Sequence, residues 1–449
     1  MTAEAVARLL PQTPQGTLEE HLDLHGPPPF ADTGNGPAVA AGPAGGERLI
    51  TAVERSGLTG RGGAGFPAGR KMRAVAEAGR RAGPFHSQVG TTVIANGTES
   101  EPTSGKDKLL LSRAPHLVLD GVVLAAEAVG ATRAFVCIHD GAGPLHEAIV
   151  SRERAGLNRV PIQVVTVPAG YVAGQETALI SLLNGGGPRP TFVPPRPAER
   201  GVRRHPTLVQ NVETLANIAL IARHGPDWFR TVGPETAPGT ALVTVTGTVA
   251  RLGVYEVPLG TPIGAVLDQA GGYTEPPQAV LAGGYFGGWL TLPAAADVAL
   301  TDRALRAAGA TFGPGVLIAL PASSCPLAET ARVVTYLASQ SAGQCGPCHN
   351  GLPALAEAMN LLAFGWAGPD GVHWTQQLVG LVSGRGACHL PDGTAGVAHS
   401  ALTTFADEVR RHVEHGPCDR VRRPPVVPVP EPAAAATPAP GGVRPGTSA

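Results

Sequence analysis

The sequence predicts an α/β protein with a largely parallel sheet, followed by a small β-rich module and a helical bundle. Three observations carry this. Apolar runs at Thr91–Ala95, Ala134–Ile138 and Ile162–Val167 read as buried strands, with helix-like segments at Leu117–Val129 and Leu145–Arg154 between them. Strands alternating with helices imply parallel pairing through crossovers. Short alternating runs (ALVTVTGTV, VYEVPLG, AVLAGGYFGGWL) around one short helix, Pro262–Gln269, fill residues 241–300 in the manner of a β-grasp. Residues 326–365 and 398–414 are helical by periodicity, with cysteines between and around them, which suggests a small bundle.

In chain order, residues 1–45 carry PPP and GPAVAAGPAGG and read as a flexible N-terminal arm. Residues 46–237 form the α/β domain: a helix from Glu47 to about Ser56, a glycine loop, a second helix from about Ala68, then the strands. Residues 238–322 are the β-grasp module and 323–415 the bundle. The Pro/Ala-rich stretch 416–449 cannot bury a core and is expected to be disordered.

Composition narrows the function. Lys+Arg number 34 against 35 Asp+Glu, a net charge of -1, so a nucleic-acid surface, which needs a basic excess, is not expected. Aromatics are only 4%, too few for a broad stacking platform. No run of 18 apolar residues is free of charge, and MTAEAVARLLPQTPQ lacks the basic start and apolar core of a secretory signal. The chain therefore reads as soluble and cytoplasmic, where six cysteines are better suited to a metal or redox chemistry than to a disulfide framework. Lysines number three, Lys71, Lys106 and Lys108, so each draws notice.

Gly60-Arg61-Gly62-Gly63-Ala64-Gly65 satisfies G-x-G-x-x-G. That pattern lets backbone approach a phosphate at a helix N-terminus, but it requires a preceding strand, and GERLITAVERSG reads as a helix. An ordinary dinucleotide fold is excluded; a helix–helix turn is the plain alternative. Arg61, Arg70 and Lys71 set cations beside exposed amides, which favours an anion site.

The loop has company. SGLTGRGGAGFPAGRKM, VIANGTESEPTSGKDKLLL, GYVAGQETALI and PPRPAERGVRRHPTLVQNVETLANI together resemble, in the same order, four motifs of a known family, the FMN- and NADH-binding flavoprotein subunits of respiratory complex I. The resemblance covers roughly residues 46–415. It implies a Rossmann-like FMN-binding domain, a soluble-ligand-binding β-grasp module and a helical bundle carrying an iron–sulfur site. By the same resemblance Gly60, Arg61, Gly62, Gly63 and Lys71 surround the FMN phosphate and ribityl chain. Asn96 and Glu99 face the flavin; Tyr171, Gly174 and Glu176 line its isoalloxazine and nicotinamide side. Asn211 and Thr214 complete the site, and Phe66 is the stacking aromatic that persists. Glu99 and Glu176 are expected to orient the nicotinamide rather than act as acid and base.

Departures from the family pattern concentrate on the nicotinamide side. Thr98 stands where the family has Asp, Gln175 where it has Glu, Gln210 where it has Asn, and Ala74 and Arg196 where it has aromatics. Lost stacking surface weakens dinucleotide binding. Arg196, Arg203 and Arg204 are either a 2′-phosphate site favouring NADPH or a solvated basic face.

Cys345-Gly346-Pro347-Cys348-His349 matches three motifs. The thioredoxin pattern follows a strand, whereas LAETARVVTYLASQ reads as a helix. The haem-attachment pattern needs export. An iron–sulfur or zinc site remains, with Cys388 arriving 40 residues after Cys348. The family carries four cysteine ligands to a [4Fe-4S] cluster. Here Ala342 takes the first position, leaving Cys345, Cys348 and Cys388, with Ser341, His349, His389, Cys418 or a water for the fourth place, or a [3Fe-4S] cluster. Zinc on three Cys and one His is the rival. Cys137 and Cys325 read as core residues.

The expected function is hydride transfer from NADH (or NADPH) to FMN, then single electrons through the cluster to a ferredoxin-like or [2Fe-2S] protein, with peripheral association with a membrane complex compatible with the chain. The alternatives are an electron-relay subunit that no longer oxidises nicotinamide and a zinc-stabilised scaffold.

Overall fold

The computed structural model describes residues 7–11, 16–29, 42–81 and 90–430 of the chain. Helix α1 (Leu18–His25) starts on a reciprocal cap, in which Thr17 Oγ1 accepts from the Glu20 N–H and the Glu20 carboxylate accepts from the Thr17 N–H. Helices α2 (Gly42–Ser56) and α3 (Ala68–Arg81) flank the glycine loop. The first sheet is then assembled from β1 (Thr91–Gly97), α4 (Lys106–Arg113), α5 (Pro115–Val129), β2 (Ala131–Ile138), α6 (Ala142–Arg154), β3 (Ile162–Thr166), α7 (Glu176–Leu183), β4 (Thr207–Asn211) and α8 (Val212–Phe229).

All pairings in this sheet are parallel, in the order β3-β2-β1-β4. The chain moves outward from β1 to β3, then returns to the other side of β1 to lay down β4. The direction of winding thus reverses between β1 and β4, where helices on the two sides diverge and leave a crevice. Asn96 and Asn211 are register partners at the C-terminal ends of those two strands. The sequence predicts β1, β2 and β3 but not β4, because TLVQN is short and ends in amides. It also predicts β3 as buried; the structure makes it an edge strand with its residues half-buried or exposed.

Helix α5 is buried on every face except at Glu127, as expected of an apolar helix enclosed between layers. A Cβ on Gly121 would lie 2.0 Å from the Leu215 carbonyl oxygen of α8. Glycine therefore allows the two backbones to touch. Beside it, the fully buried Asp120 receives His21 of α1 at 2.8 Å, Arg152 of α6 at 2.7 Å and Arg223 of α8.

The second sheet comprises β5 (Thr240–Gly247), β6 (Gly253–Pro258), α9 (Ile263–Gln269), β7 (Pro277–Ala282), β8 (Gly288–Thr291), α10 (Asp302–Ala307) and β9 (Val316–Pro321). Its order is β6-β5-β9-β7-β8, with β5 and β9 parallel and the other pairs antiparallel. This is the β-grasp arrangement that the sequence predicts. The bundle follows with α11 (Pro326–Ser339), α12 (Leu352–Phe364), α13 (Gly368–Val382), α14 (Leu390–Thr404) and α15 (Ala406–His415). Helix α13 and the first half of α14 fall outside the stretches that periodicity singles out. Pro and Gly dilute their pattern, and α13 buries only Thr375, Leu378 and Val382.

The flexible arm and disordered tail are corrected in part. The backbone N–H groups of Arg8, Leu9 and Leu10 all donate to Glu256 Oε2, at 3.0, 2.8 and 3.1 Å, and Leu9 is fully buried. After α15, the N–H groups of Val426 and Val427 donate to the Glu329 carboxylate at 3.1 Å each. The rest of the arm, and residues 431–449 of the tail, lie outside the described residues. Among the described residues, no single helix is long and apolar enough to cross a membrane.

Burial alone would push the Asp120 carboxyl up; His21, Arg152 and Arg223 outweigh it and hold it well below the usual carboxylate range. Because the folded value is depressed, its stabilisation is fully present above the unfolded carboxylate pKa of about 3.9 and is lost as pH falls. Asp120→Ala, which strands two buried guanidinium groups, should destabilise the fold by about 3–5 kcal/mol at neutral pH. In urea melts the gap between variant and parent should narrow as pH drops below about 4.

Candidate functional site

A cleft of about 950 Å³ opens at the C-terminal ends of β1 and β4 and runs between the glycine loop, the β-grasp module and α14. That size lies within the range of roughly 300–1,000 Å³ usual for cofactor and ligand sites. Of the residues the sequence singles out, Gly62, Gly63, Asn96, Glu99, Tyr171, Gly174 and Asn211 line it. Gly60, Arg61, Phe66, Lys71, Glu176 and Thr214 do not.

The glycine loop is held from behind. The Gly60 N–H donates to the Phe66 carbonyl at 2.9 Å, and the Arg61 N–H donates to Thr214 Oγ1 at 2.9 Å. The Arg61 guanidinium is buried and donates to Thr59 Oγ1 and the Thr240 carbonyl, both at 3.0 Å. It therefore anchors the loop to β5 instead of meeting a phosphate in the cleft. Gly63 has φ +108°, and a Cβ on Gly62 would come within 3.2 Å of Asn211 Cβ. The loop thus turns bare backbone toward the strand ends. Gly60, Arg61 and Gly63 also face a smaller cavity of about 430 Å³ beside Asp302 and Phe312.

Glu99 is in the left-handed region at φ +46°, a strained geometry for a side-chain-bearing residue. Its carboxylate accepts from Ser104 Oγ at 2.7 Å and from the Asp107 and Lys108 N–H groups at 2.9 and 3.1 Å. It thereby satisfies the first turn of α4, where an anion is favoured. Asn96 Nδ2 donates to the Gly174 carbonyl at 2.8 Å, locking the GYVAGQ turn over β1. A Cβ on Gly174 would strike Thr98 and Ser100. Lys71 and Glu176 pair at 2.7 Å, partly exposed and outside the cleft wall. Phe66 is 49% exposed.

The sequence points too weakly at Lys106 and Asp107. Lys106 is buried at the cleft wall, with Nζ 2.6 Å from Asp107, 2.9 Å from Glu213 and 3.2 Å from Asn211 Oδ1. Burial opposes its charge, but the two carboxylates outweigh burial and hold its pKa above the usual lysine value. Burial pushes the Asp107 carboxyl up, against the pull of Lys106. The available signal is the scarcity of lysine, which marks Lys106 but does not say that it stands in a cleft wall. Gln175, which stands where an acid is expected, caps α7: its Oε1 accepts from the Thr177 and Ala178 N–H groups at 2.8 and 3.1 Å. Arg196, Arg203 and Arg204 are not among the residues lining the cleft.

Tyr171 joins the cleft to the bundle. Its hydroxyl donates to Glu101 Oε2 at 2.9 Å, its N–H donates to Gln340 Oε1 at 3.1 Å, and its ring stacks on Tyr285 at 6.3 Å and leans on Phe286 at 4.8 Å. Gln340 ends α11 and precedes the cysteine loop. There the chain makes a π-helical turn, Pro347–Gly351, a wide turn frequent at functional sites. Cys348 is buried, and Cys345 and Cys388 are half-buried. Burial opposes ionisation of the Cys345 thiol, but nearby backbone N–H groups pull it below its ordinary pKa, whereas burial leaves the Cys388 thiol above it. Three soft thiol donors on one loop and the start of α14 suit an iron–sulfur cluster. Of the candidates for a fourth ligand, Ser341 Oγ donates to the Cys348 carbonyl at 3.4 Å, and His389 lines the cleft. Cys418 is placed elsewhere, against Cys325, Glu408 and His412. Cys137 is a core residue as expected.

Lys106→Met leaves Asp107 and Glu213 buried without their cation. It should cost about 3–5 kcal/mol in chemical denaturation, whereas exchange of the exposed Lys108 for Met should change stability by less than about 0.5 kcal/mol.

Comparison with known proteins agrees with this layout. Residues 53–220 match the Nuo51 FMN-binding domain, residues 242–288 the SLBB domain, and residues 328–412 the NADH-ubiquinone oxidoreductase-F iron–sulfur binding region. The F component of NADH-quinone oxidoreductase in Mycobacterium tuberculosis (strain ATCC 25618 / H37Rv) is 34% identical over 393 residues, covering 82% of this chain and 85% of that protein. The protein of the same name in Streptomyces coelicolor is 33% identical over 387 residues, covering 82% and 84%. A crystal structure of an NAD⁺-reducing [NiFe]-hydrogenase in its H2-reduced state superposes with a TM-score of 0.75 at 30% identity, covering 82% of this chain and 63% of that one. The chain thus spans less than two thirds of that hydrogenase chain. With its flavin-domain, β-grasp and iron–sulfur regions in the same order, the chain belongs to the family of the F component of NADH-quinone oxidoreductase.

Proposed function

We propose that this chain is the FMN-carrying, NADH-oxidising subunit of an electron-transfer assembly, passing electrons through an iron–sulfur cluster to a protein partner. The observation that carries the reading is the cleft itself. It starts at the winding reversal of the parallel sheet and ends at His389, next to Cys388 of the cysteine loop.

The residues fit a flavin. The bare backbone of Gly62 and Gly63 gives a phosphate close approach, and Lys106 supplies a fixed positive charge in the wall. Asn96, Asn211 and Gly174 would hold the ring system, and Tyr171 with Phe286 would close its far side. When bound, the flavin supplies an acceptor for hydride that can release electrons singly. The chain's own work is to position and to exclude water. Glu99 fixes the α4 entry that carries Lys106 and Asp107, and Thr214 fixes the glycine loop. Glu176, steered by Lys71, would orient the nicotinamide at the rim, with Phe66 as an exposed stacking surface. Cys345, Cys348 and Cys388 would hold a [4Fe-4S]-type cluster with a fourth ligand from outside the cysteine set. The partner would be a ferredoxin-like or [2Fe-2S] protein, met in the cytoplasm or on a membrane-peripheral arm.

A second reading, an electron relay that does not oxidise nicotinamide, is favoured by Gln175 being committed to capping α7 and by Ala74 standing where the family stacks an aromatic.

An anaerobic absorbance titration of the reconstituted chain with NADH, then NADPH, should bleach the flavin band first and the iron–sulfur absorbance afterwards. Bleaching by dithionite but by neither nucleotide would establish the relay. Gly62→Val should lower flavin content at least about tenfold without unfolding the chain, because the added methyls enter the cleft beside Asn211.

A further inference from the structure

We propose that Cys325, Glu408, His412 and Cys418 form a structural zinc site, separate from the cysteine loop and independent of the flavin reading. The four donor atoms all lie within 4.8 Å of one another. A tetrahedral zinc with bonds of about 2.0–2.3 Å spaces its ligands roughly 3.3–3.8 Å apart, so closure needs only small movements.

Three features of the bundle deliver the four donors. Cys325 is the N-cap of α11, with no capping hydrogen bond from its side chain. Glu408 and His412 lie one turn apart on α15, hence on one face. Cys418 arrives two residues after Gly416, which ends that helix at φ +79°. Cys325, Glu408 and His412 are 1%, 4% and 2% exposed.

The polar detail argues for a cation. His412 Nδ1 faces the Leu362 carbonyl at 3.0 Å. A proton held there leaves Nε2 as a lone pair, the arrangement that second-sphere carbonyls impose on metal-binding histidines. Nε2 then faces Glu408 Oε1 at 3.3 Å and Cys325 Sγ at 3.7 Å, and receives the Cys418 N–H at 3.3 Å. Glu408 Oε1 is buried and has no hydrogen-bond partner. Its twin, Oε2, is held by Arg411 and by Arg420 at 2.5 Å, so one oxygen is anchored and the other is aimed inward. Two thiols, an imidazole and a carboxylate around one point are a donor set zinc accepts, and four protein ligands leave no open position for catalysis. The consequence is mechanical: the metal fastens the segment after α15 to the first turn of α11.

The test uses the full chain with its cluster reconstituted, expressed with added zinc. Metal analysis should find one zinc per chain beside the iron. Zinc K-edge absorption should show sulfur at about 2.3 Å together with nitrogen or oxygen near 2.0–2.1 Å. Cys418→Ala should lose zinc at least tenfold while iron stays constant. His412→Gln should do the same, and its circular dichroism reports whether the fold survives. Absence of zinc, a sulfur-only shell typical of metal lodged in the cysteine loop, a Cys325–Cys418 disulfide in the purified protein, or unchanged zinc in Cys418→Ala would each overturn the proposal.

Discussion

One buried ammonium ties the architecture together. Lys106 stands at the first turn of α4, between Asp107 beside it and Glu213 on α8, and also reaches Asn211 at the end of β4. Glu213 in turn accepts the Leu242 N–H of the second sheet at 3.0 Å and lies 3.9 Å from the Arg61 guanidinium of the glycine loop. Two sheets, one loop and two helices therefore converge on a cluster of charges that water hardly reaches. In such surroundings each charge is tolerable only because the others are present. The cleft wall is consequently rigid where it is polar, as required of groups that must not rearrange around a ligand.

Burial of charge recurs further along α8, where it packs on α5. Asp120 sits in the middle of a helix that is buried on every face except at Glu127, and it draws α1, α6 and α8 toward itself. Nothing in the local pattern of PHLVLDGVVLAAEAV separates Asp120 from Glu127, since an acid in a hydrophobic run reads as a surface position. The partners come from elements 99, 32 and 103 residues away, and sequence spacing does not carry such contacts.

The parts of the fold that were legible are those whose signal is local. Continuous apolar runs gave β1 and β2, alternation gave the β-grasp strands, and 3.6-residue periodicity gave α11 and α12. What was missed follows a rule. β4, α4 and α13 are short or glycine-diluted, and they exist because something larger holds them. The order of Arg8–Leu10 on Glu256, and of Val426–Val427 on Glu329, likewise depends on an acceptor far away in the chain. In the candidate site, motif order identified the glycine loop and the Asn96 and Asn211 strand ends, because those are backbone features written in consecutive letters. It did not separate residues that face the cleft from residues that brace it. Arg61 and Thr214 carry the right chemistry for contact, yet they support the loop from behind. The cysteines show the same limit: spacing grouped Cys345 with Cys348, while Cys325 and Cys418, 93 residues apart, meet only in the folded bundle.

The tether between Tyr171 and Gln340 has a further consequence. One hydrogen bond to Gln340 and an edge-on contact of the Tyr171 ring with Tyr336, both on the α11 side, fix the interval between the sheet's open end and the cysteine loop, by a path that bypasses the β-grasp module. Electron tunnelling rates fall exponentially with the gap crossed. A gap clamped by so short a path holds steady while more distant parts of the fold breathe, so their motions do not detune the transfer.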